Sequence, residues 1–275
     1  MLNKNYNAIL FGLGSIGAGS GIYNKKWNNH LDSLKRASWI ENIYIFDPFV
    51  DVKGFINKNI FDFLNLNIPN DKPVLFIDAG PASGRVHRVS RIYDLCNPDL
   101  CLIEKPTNSA ELHNKNELFG KNIRINYFRR ALETTNWLKS ILKEEKIENI
   151  DVKISNGFFN AGTHLFDLLD FLGFEITDSD ISVSNNKNFI RVNYLENAKK
   201  DVFEVIFKSK KTKIKYLNFG SLIKINNEVF ENNDIHHRLQ NIYQSQENFN
   251  KLTNIETDIK TYTLCAHLKE LWEKK

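Results

Sequence analysis

The sequence predicts an α/β protein of two domains: a doubly wound parallel sheet, then an α+β domain with an open, mostly antiparallel sheet. Two observations predict this. In roughly the first half of the chain, short apolar strands alternate with helical segments, the pattern of a parallel sheet with crossover helices. From about residue 127 onward, candidate strands follow one another closely enough to pair as antiparallel hairpins. The predicted domains are 1–126 and 127–275, and the C-terminal helix is a candidate to pack back on the first domain.

The composition is typical of a soluble globular protein, with 42% apolar and 25% charged residues in 275. Lysine and arginine exceed the acidic residues by 37 to 33, but they are scattered along the sequence, which argues against nucleic acid or a membrane surface as partner. Three cysteines without C-x-x-C spacing predict neither a disulfide framework nor a metal site, and they fit the reducing cytoplasm. No apolar run reaches the roughly 18 residues of a membrane span.

The first strand, over 8–11, leads directly into a complete G-x-G-x-x-G at Gly12, Gly14 and Gly17. In a dinucleotide-binding loop the first glycine permits the tight turn and the second lets the backbone approach a pyrophosphate. The third lets the next helix lie close to the sheet. The N-terminus of that helix presents free N–H groups and a positive dipole end to the phosphates. The motif alone does not distinguish such a loop from a merely glycine-rich turn.

The second strand, over 43–46, ends on Asp47, an acidic side chain that can bind the ribose 2′-hydroxyl of NAD. Asp47 comes later than the usual spacing of about 20 residues after the glycines, because 23–29 reads as an added loop before a helix over 29–38. The alternative is a turn acid preceding Pro48. A carboxylate at this position would repel a 2′-phosphate, so we expect NAD rather than NADP.

The remaining elements are predicted from apolar periodicity and from the turn residues that bound it. In the first domain they are helices over 56–66, 84–95 and 108–119, and strands over 73–78, 100–103 and 123–126. In the second domain they are helices over 130–145, from about 162, over 238–250 and over 258–273, and strands over 150–155, 181–184, 189–195, 202–207, 213–219, 222–225 and 229–230.

Several landmarks occur in a fixed order between about residue 7 and residue 172. They are GLGSIG at 12–17 with its preceding strand, Asp47, the segment from Pro81 to His87, EKP at 104–106, NYFRR at 126–130 and NAGTHLFDLL at 160–169. In this respect the chain resembles the Gfo/Idh/MocA family, the glucose-fructose oxidoreductases and inositol dehydrogenases with an N-terminal Rossmann domain. EKP combined with a later G-x-H-x-x-D is a fairly specific pair, whereas the last hundred residues match only in general architecture.

The resemblance assigns catalytic roles to Lys105 and His164. Lys105 directly follows a buried strand, so it lies at the carboxyl edge of the sheet, where it can bind a substrate hydroxyl and share in proton transfer. The alternative is a surface lysine in a β–α loop. His164 is predicted in the first turn of a helix, where the helix dipole favours a neutral imidazole that can accept a proton. The alternative is a structural histidine beside an apolar face.

The chain departs from the family pattern at Asn160, where many members carry an aspartate four residues before the histidine. Asparagine can hold a hydroxyl or cap a helix, but it cannot serve as a base. Arg129 and Arg130 can clamp a phosphate or carboxylate of the substrate, or they simply begin a solvated helix. His164 and Asp167, without a third ligand, do not make a metal site. His30 and His87 receive no role.

The resemblance therefore implies an NAD-dependent oxidoreductase that moves hydride between nicotinamide and a hydroxyl carbon of a sugar or nucleotide sugar. It also suggests surface polysaccharide synthesis as the setting. The predicted catalytic residues are Lys105, His164 and Asn160; the cofactor-binding residues are Gly12, Gly14, Ser15, Ile16, Gly17, Asp47, Glu104 and Lys105; the substrate-binding residues are Tyr127, Arg129, Arg130 and Asp167. Two alternatives stay open: transient oxidation that permits elimination of a glycosidic bond, and a catalytically silent NAD-binding sensor or assembly protein. An apolar face of the second sheet would need cover, so a homodimer or homotetramer is expected.

Overall fold

A computed structural model describes residues 5–18, 29–47, 72–105, 107, 118, 120–183, 188–217, 220–232 and 237–275. The chain divides into two compact units. The first comprises Met1–Phe128 with His236–Ile255, and the second comprises Arg129–Ile235 with Glu256–Lys275. Within the described part of the chain, no helix combines the length and the apolar character that a membrane crossing requires.

The first unit is built on a parallel sheet. Its described strands are β1 (Tyr6–Phe11), β2 (Ile40–Phe46), β3 (Val74–Asp78), β4 (Leu100–Ile103) and β5 (Ile123–Ile125), in the spatial order β2-β1-β3-β4-β5. Its described helices are α1 (Ser15–Ala18), α2 (His30–Leu34) and α3 (Arg85–Cys96). The strands are apolar and mostly fully buried, as expected of a parallel sheet covered on both faces. This confirms the predicted doubly wound sheet.

The predicted helices over 56–66 and 108–119 fall outside the described residues, apart from Leu118, and so does the predicted loop over 23–29, apart from Asn29. Where the structure describes the sheet, each predicted strand is present within a few residues of its expected ends. The helix expected over 29–38 is shorter: Asn29 caps it by accepting the N–H of Asp32, and α2 ends at Leu34.

A segment close to the C-terminus completes the first unit. Its helices are α6 (Arg238–Tyr243) and α7 (Gln246–Asn250). The Trp39 Nε1–H donates to the Tyr243 carbonyl over 2.8 Å, and Thr253 forms an antiparallel bridge with Ile125 beside β5. The final helix of the chain, α8 (Ile255–Glu273), belongs to the second unit except for its first residue.

The second unit is built on a mixed sheet. Its described strands are β6 (Asn149–Ile154), β7 (Ile181–Val183), β8 (Ile190–Tyr194), β9 (Phe203–Lys208), β10 (Lys213–Leu217), β11 (Leu222–Ile225) and β12 (Glu228–Glu231), in the order β12-β11-β10-β9-β6-β8-β7. The run β12-β11-β10-β9-β6 is antiparallel, as predicted. The expectation that β7 and β8 form a hairpin is wrong: they pair in parallel, and β8 also pairs in parallel with β6. Closeness in sequence suggested a hairpin, but the register shows the two strands running in the same direction, which a tight hairpin turn cannot produce.

One face of this sheet carries the core of the second unit. Residues on that face pack with apolar residues of α4 (Glu133–Leu142), α5 (Thr163–Phe171) and α8, among them Leu138, Leu165 and Leu268. The opposite face was expected to be apolar and is not. Its positions alternate with the buried ones and hold charged side chains such as Asp151, Arg191 and Lys208. The same face also carries partly exposed aliphatic residues, Ile206, Leu217 and Leu222, and the homodimer or homotetramer expected from the sequence stays a prediction.

The helix that carries His164 begins earlier than predicted. A π-helical turn over Phe158–Gly162 runs directly into α5, so His164 lies beyond the first turn of the combined helix. The dipole effect falls off after the first turn, and the predicted electrostatic reason for a neutral imidazole is correspondingly weak. The π turn packs closely on α8, because a Cβ built on Gly162 would lie 3.1 Å from the Cys265 sulfur.

Candidate functional site

The candidate cofactor site lies at the carboxyl edge of the parallel sheet. Phe11 of β1 is aligned with Phe46 of β2 and with Asp78 of β3, so the residues that follow these strands share one edge. Ile103 of β4 is aligned with Asp78 and extends the same row. Because β2 and β3 lie on opposite sides of β1, this edge contains a topological switch point, the usual ligand position in open α/β sheets.

The three glycines of the loop differ in what surrounds them. Gly12 has φ +91°, and a Cβ there would lie 2.7 Å from the Gly80 nitrogen in the loop after β3. A Cβ on Gly17 would lie 1.8 Å from the Gly12 carbonyl oxygen. Gly14 is exposed, and a Cβ built on it meets none of the described atoms within 4 Å. Protein packing therefore accounts for Gly12 and Gly17, whereas Gly14 leaves open a cradle of the kind a pyrophosphate requires.

Asp47 lies against the glycine loop, as the cofactor assignment requires. Its Oδ2 accepts the backbone N–H of Leu13 over 2.6 Å, and the Gly12 N–H donates to the Phe46 carbonyl over 2.7 Å. The end of β2 is thus tied to the loop at two points. Leu13, which the carboxylate contacts, directly precedes Gly14, and dinucleotide-binding proteins hold the adenosine ribose with an acid at the end of this strand.

Sequence reasoning missed a buried acid at the end of β3. Asp78 is fully buried and accepts two hydrogen bonds from the Arg88 guanidinium, over 2.8 and 3.1 Å. Arg85 donates over 2.6 Å to the Gly80 carbonyl, and burial lowers the pKa of Arg85 although the charges of Asp78 and Glu104 oppose this. The signal was present in the sequence, because an acid ends a buried strand and two arginines lie on one face of the next helix. This network fixes the loop that touches Gly12.

Glu104 is held in a buried network at the end of β4. Its Oε1 faces the His30 Nε2 over 2.8 Å and also accepts the Asn126 side-chain amide, while the His30 Nδ1 faces the Tyr243 hydroxyl over 2.6 Å. Burial of Glu104 raises its pKa, but the hydrogen bond and charge of His30, together with Asn126 and Arg85, outweigh burial, and the net pKa lies below the usual value. Glu104 is therefore an ionised carboxylate with fixed partners.

The partners of His30 define where one of its protons lies. An ionised Glu104 can only accept, so Nε2 of His30 must carry a proton. Burial and the charge of Glu104 raise the pKa of Tyr243 well above its usual value, which keeps its phenol protonated and able to donate to Nδ1. With a proton on Nε2 and the Tyr243 hydroxyl at Nδ1, both ring nitrogens of His30 have a hydrogen-bond partner. His30, which received no role from the sequence, is thus a fully buried link between Glu104 and α6.

Two further predicted residues of the first unit have definite positions. Lys105 directly follows Glu104 and is partly exposed at the carboxyl edge of the sheet, as its predicted role requires. Tyr127 is only 2% exposed, with its backbone N–H donating to the Ile125 carbonyl. That burial favours a structural role for Tyr127 over contact with substrate.

In the second unit, Asn160 and His164 lie on the same side of one helix. Asn160 is partly exposed in the π turn, and His164, four residues later, is 7% exposed in α5. Residues four apart share a helix face. The Phe159 ring stacks on Tyr262 of α8 with centroids 4.7 Å apart, which fixes the turn that presents Asn160. π-helical turns occur frequently at functional sites.

Arg130 and Asp167, both predicted to bind substrate, bind each other. The Arg130 Nε donates to the Asp167 Oδ1 over 2.9 Å, and its NH2 donates to the Asp170 Oδ2 over 2.8 Å. Burial lowers the pKa of Arg130, but the two carboxylates raise it above the usual value. Arg129 is buried with its guanidinium 4.2 Å from the centroid of the Phe203 ring. These contacts favour structural roles for both arginines, and their substrate contacts stay a prediction.

Among the described residues, no group of three or more histidine, cysteine, aspartate or glutamate side chains is arranged to hold a metal ion. The polar groups collected at the edge of the first sheet are instead a glycine loop, a strand-end carboxylate and a lysine. Such a set suits a nucleotide cofactor bound through its phosphates and ribose.

Comparison with known proteins finds solved structures with the same fold but no protein with a similar sequence. The parallel sheet followed by a mixed sheet is the two-domain fold of the Gfo/Idh/MocA oxidoreductases. No protein-family model matches the sequence, and no curated protein matches it.

Three solved structures illustrate the likeness. A super-repressor mutant of Gal80p from Saccharomyces cerevisiae has a TM-score of 0.74 at 11% identity, covering 98% of this chain and 95% of that one. KijD10, a 3-ketoreductase from Actinomadura kijaniata in complex with NADP and TDP-benzene, has a TM-score of 0.67 at 10% identity, covering 97% of both chains. D-galactose-1-dehydrogenase from Rhizobium etli has a TM-score of 0.64 at 13% identity, covering 98% and 96%. The fold is thus shared by enzymes and by a super-repressor.

Proposed function

We propose that this chain is an oxidoreductase of the Gfo/Idh/MocA type, which binds NAD in its first unit and transfers hydride to or from a hydroxyl-bearing carbon of a sugar or nucleotide sugar. The observation that carries the proposal is Gly14. Neither φ nor packing against described atoms requires a glycine there, whereas the approach of a pyrophosphate does. The adjacent Asp47 carboxylate, fixed by the Leu13 N–H, supports it.

The proposed roles divide between cofactor and protein. Bound NAD would supply the hydride chemistry. The Gly12–Gly17 loop would hold the pyrophosphate, and the Asp47 carboxylate would accept the ribose 2′-hydroxyl and disfavour a 2′-phosphate. Lys105 would bind the reacting hydroxyl, and His164 would accept its proton. The fixed carboxylate of Glu104 would hold the backbone from which Lys105 projects. We propose that the enzyme acts in the cytoplasm, where its free thiols stay reduced.

A second candidate function is an NAD-binding sensor without turnover. Two observations favour it: Asn160 cannot act as a base, and the predicted substrate clamp Arg130 is engaged by Asp167 and Asp170. The Gal80p fold likeness is compatible with this candidate. Turnover on a panel of sugars and nucleotide sugars separates the two candidates, and net release of NADH separates simple oxidation from transient oxidation followed by elimination.

The cofactor assignment is tested by substituting two glycines of the same loop. Gly14→Val adds a side chain where the protein leaves open space, so NAD binding measured by calorimetry should be lost while the melting temperature is unchanged. Gly17→Ala is the matched control, because its Cβ would collide with the Gly12 carbonyl and should lower the melting temperature as well. NAD affinity unchanged by Gly14→Val would show that no dinucleotide approaches this loop.

A further inference from the structure

Arg238, the first residue of α6, is a partly buried cation without an anionic partner in the described part of the chain. Its guanidinium carbon lies 5.2 Å from the centroid of the Phe128 ring. Among the described residues, its side chain forms neither an ion pair nor a hydrogen bond. Burial lowers the pKa of Arg238, and the charge of Glu104 opposes this without overcoming it. Buried charges in proteins are ordinarily paired, because removing an unpaired charge from water is costly.

Other enclosed arginines of this chain differ from Arg238 in having carboxylate partners. Asp78 accepts two hydrogen bonds from Arg88, and two carboxylates of α5 bind Arg130. Arg238 has an aromatic ring instead, which stabilises its charge only modestly and leaves its N–H groups able to donate. Its side-chain nitrogens are not sealed from solvent, so a bound molecule can reach them.

Contacts within the first unit place Arg238 beside the predicted catalytic lysine. The Glu104 carboxylate accepts the side-chain amide of Asn126, and Phe128 follows Asn126 by two residues. The last residue of α6 is tied to the same carboxylate through the buried histidine described above. Both ends of α6 are thus positioned relative to Glu104, which directly precedes Lys105. Arg238 therefore lies at the carboxyl edge of the parallel sheet.

The chemistry of a guanidinium in this setting favours an anion. Glu104 does not act as the counter-ion, because its Oε1 is engaged by His30 and Asn126 and it forms no ion pair with Arg238. The planar donors of arginine match the paired oxygen atoms of a phosphate or a carboxylate. A neutral sugar hydroxyl offers a single hydrogen bond and would leave the charge of Arg238 uncompensated.

The cofactor does not supply this anion in the proposed complex. The pyrophosphate is assigned to the loop after β1, whereas Phe128 follows β5. These strands are three positions apart in the sheet, about 14 Å at the usual spacing between strands. The part of NAD nearest Lys105 would be the nicotinamide ring, which carries no negative charge.

We propose that Arg238 binds an anionic group of the substrate, a phosphate or a carboxylate, while Lys105 binds the reacting hydroxyl. The inference rests on the proposed oxidoreductase function and narrows its substrates to sugars that carry a negative charge. Arg238 would thereby take the role that the sequence suggested for Arg130. A substrate held both at its anionic group and at its reacting carbon is oriented for hydride transfer as well as bound.

The test measures by calorimetry the binding of four probes to the NAD-saturated full chain: uridine diphosphate, glucose 6-phosphate, glucuronate and glucose. At least one of the three anionic probes should bind the wild type, and its identity distinguishes a diphosphate, a monophosphate and a carboxylate. Arg238→Gln should raise the Kd of that probe by about tenfold or more. Arg238→Lys should raise it less, because lysine keeps the charge but not the paired donors. NAD affinity should be unchanged in both variants.

Arg91→Gln is the matched control, because it removes one positive charge from a partly buried position of the same unit. Arg91 lies in the second half of α3, which runs away from the carboxyl edge, so the Kd of every probe should be unchanged. Arg238→Gln should leave the melting temperature unchanged or raise it, because it removes a charge that the described residues do not pair. A lower melting temperature with unchanged probe affinity would assign Arg238 to packing and overturn the proposal.

The remaining outcomes separate this inference from the oxidoreductase function. If none of the anionic probes binds, or if Arg238→Gln abolishes NAD binding, the inference is overturned and the cofactor assignment is still decided by Gly14→Val. Formation of NADH from a neutral sugar at an unchanged rate in Arg238→Gln would overturn the inference and support the oxidoreductase. An anionic probe bound through Arg238 by a chain that does not bind NAD would support the anion site and overturn the oxidoreductase function.

Discussion

Single residues at the edge of the first sheet show how local partners decide protonation. Glu104 is buried, yet its carboxylate is ionised because His30 and Asn126 hydrogen-bond it and Arg85 contributes charge. A buried carboxylate without such partners would be expected to take up a proton. The same contacts also anchor the backbone that precedes Lys105.

Glu104 should make stability depend on acid pH. Its pKa in the folded state lies below the usual 4.5, so its contribution is complete above about pH 4.5 and is lost as the pH falls through the folded value. Glu104→Gln should therefore flatten the acid-side decrease in the free energy of unfolding, measured by urea denaturation at several pH values. The control is Glu247→Gln, whose side chain is 82% exposed. Identical acid slopes in the wild type and Glu104→Gln would contradict the prediction.

Asp47 gives a second prediction at this scale, on cofactor choice. With its carboxylate fixed beside the glycine loop, the wild-type chain should bind NAD more tightly than NADP in calorimetry, because a 2′-phosphate would meet a like charge. Asp47→Ser removes that charge and should reduce the difference between the affinities for NAD and NADP. A wild-type chain that binds NADP equally well or better would show that Asp47 does not contact the ribose.

At the scale of elements, two ion pairs of the second unit contrast buried and surface electrostatics. The Arg130–Asp167 pair joins the segment before α4 to α5 with side-chain exposures of 11% and 1%. The Arg191–Asp151 pair lies on the sheet face with exposures of 36% and 27%. Removing one partner of a buried pair leaves an uncompensated charge in the interior, whereas a surface pair loses little because water solvates the remaining charge.

Arg130→Leu should lower the free energy of unfolding by about 3–5 kcal/mol. Arg191→Leu, the matched surface variant, should lower it by about 0–1 kcal/mol. Adding Asp167→Asn to Arg130→Leu should recover part of the loss, since it removes the stranded charge. Urea denaturation provides all three values. A small effect of Arg130→Leu on stability, accompanied by weaker substrate binding, would instead support the prediction that Arg130 binds substrate.

The described elements also show how much of the fold can be predicted from the sequence alone. Period-two and period-3.6 apolar patterns located the described strands and most of the described helices, and the glycine motif located the loop beside Asp47. They did not predict the early end of α2, the π turn before α5, or the break that divides the helix predicted over 238–250 into α6 and α7. The parallel pairing of β7 with β8 was not predictable, because pairing direction depends on contacts distant in sequence. The same reason hid the partners of His30, which come from residues 104 and 243. Likewise, the sequence suggested that the Arg130 side chain could bind substrate, because its ion pairs with Asp167 and Asp170 are visible only in the folded chain.

At the scale of the whole molecule, the proposed mechanism assigns the reacting hydroxyl to Lys105 and His164. Lys105→Ala or His164→Ala should lower kcat by about 10²–10⁴-fold on the true substrate, with little change in NAD affinity. Because both would serve one hydroxyl, the double variant should lose much less than the product of the single losses. His87→Ala, an exposed histidine without an assigned role, is the control.

Asn160→Asp completes this test by restoring the acid of the family pattern. Activity that is retained or increased would fit a common hydroxyl chemistry, and a collapse would indicate that the asparagine amide donates a hydrogen bond a carboxylate cannot provide. Near wild-type turnover in both Lys105→Ala and His164→Ala would exclude the proposed mechanism and favour the sensor.

The return of the chain to its first unit has a consequence for biosynthesis. Tyr243 contacts both His30 and Trp39, and Thr253 bridges to Ile125, so the first unit lacks these contacts until the segment 237–255 has been translated. Domains generally fold from the N-terminus as the ribosome releases them. Here the described strands of the second sheet leave the ribosome before the first unit has gained these contacts. The nascent first unit therefore stays incomplete until α6 has been released and can place Tyr243 against His30 and Trp39.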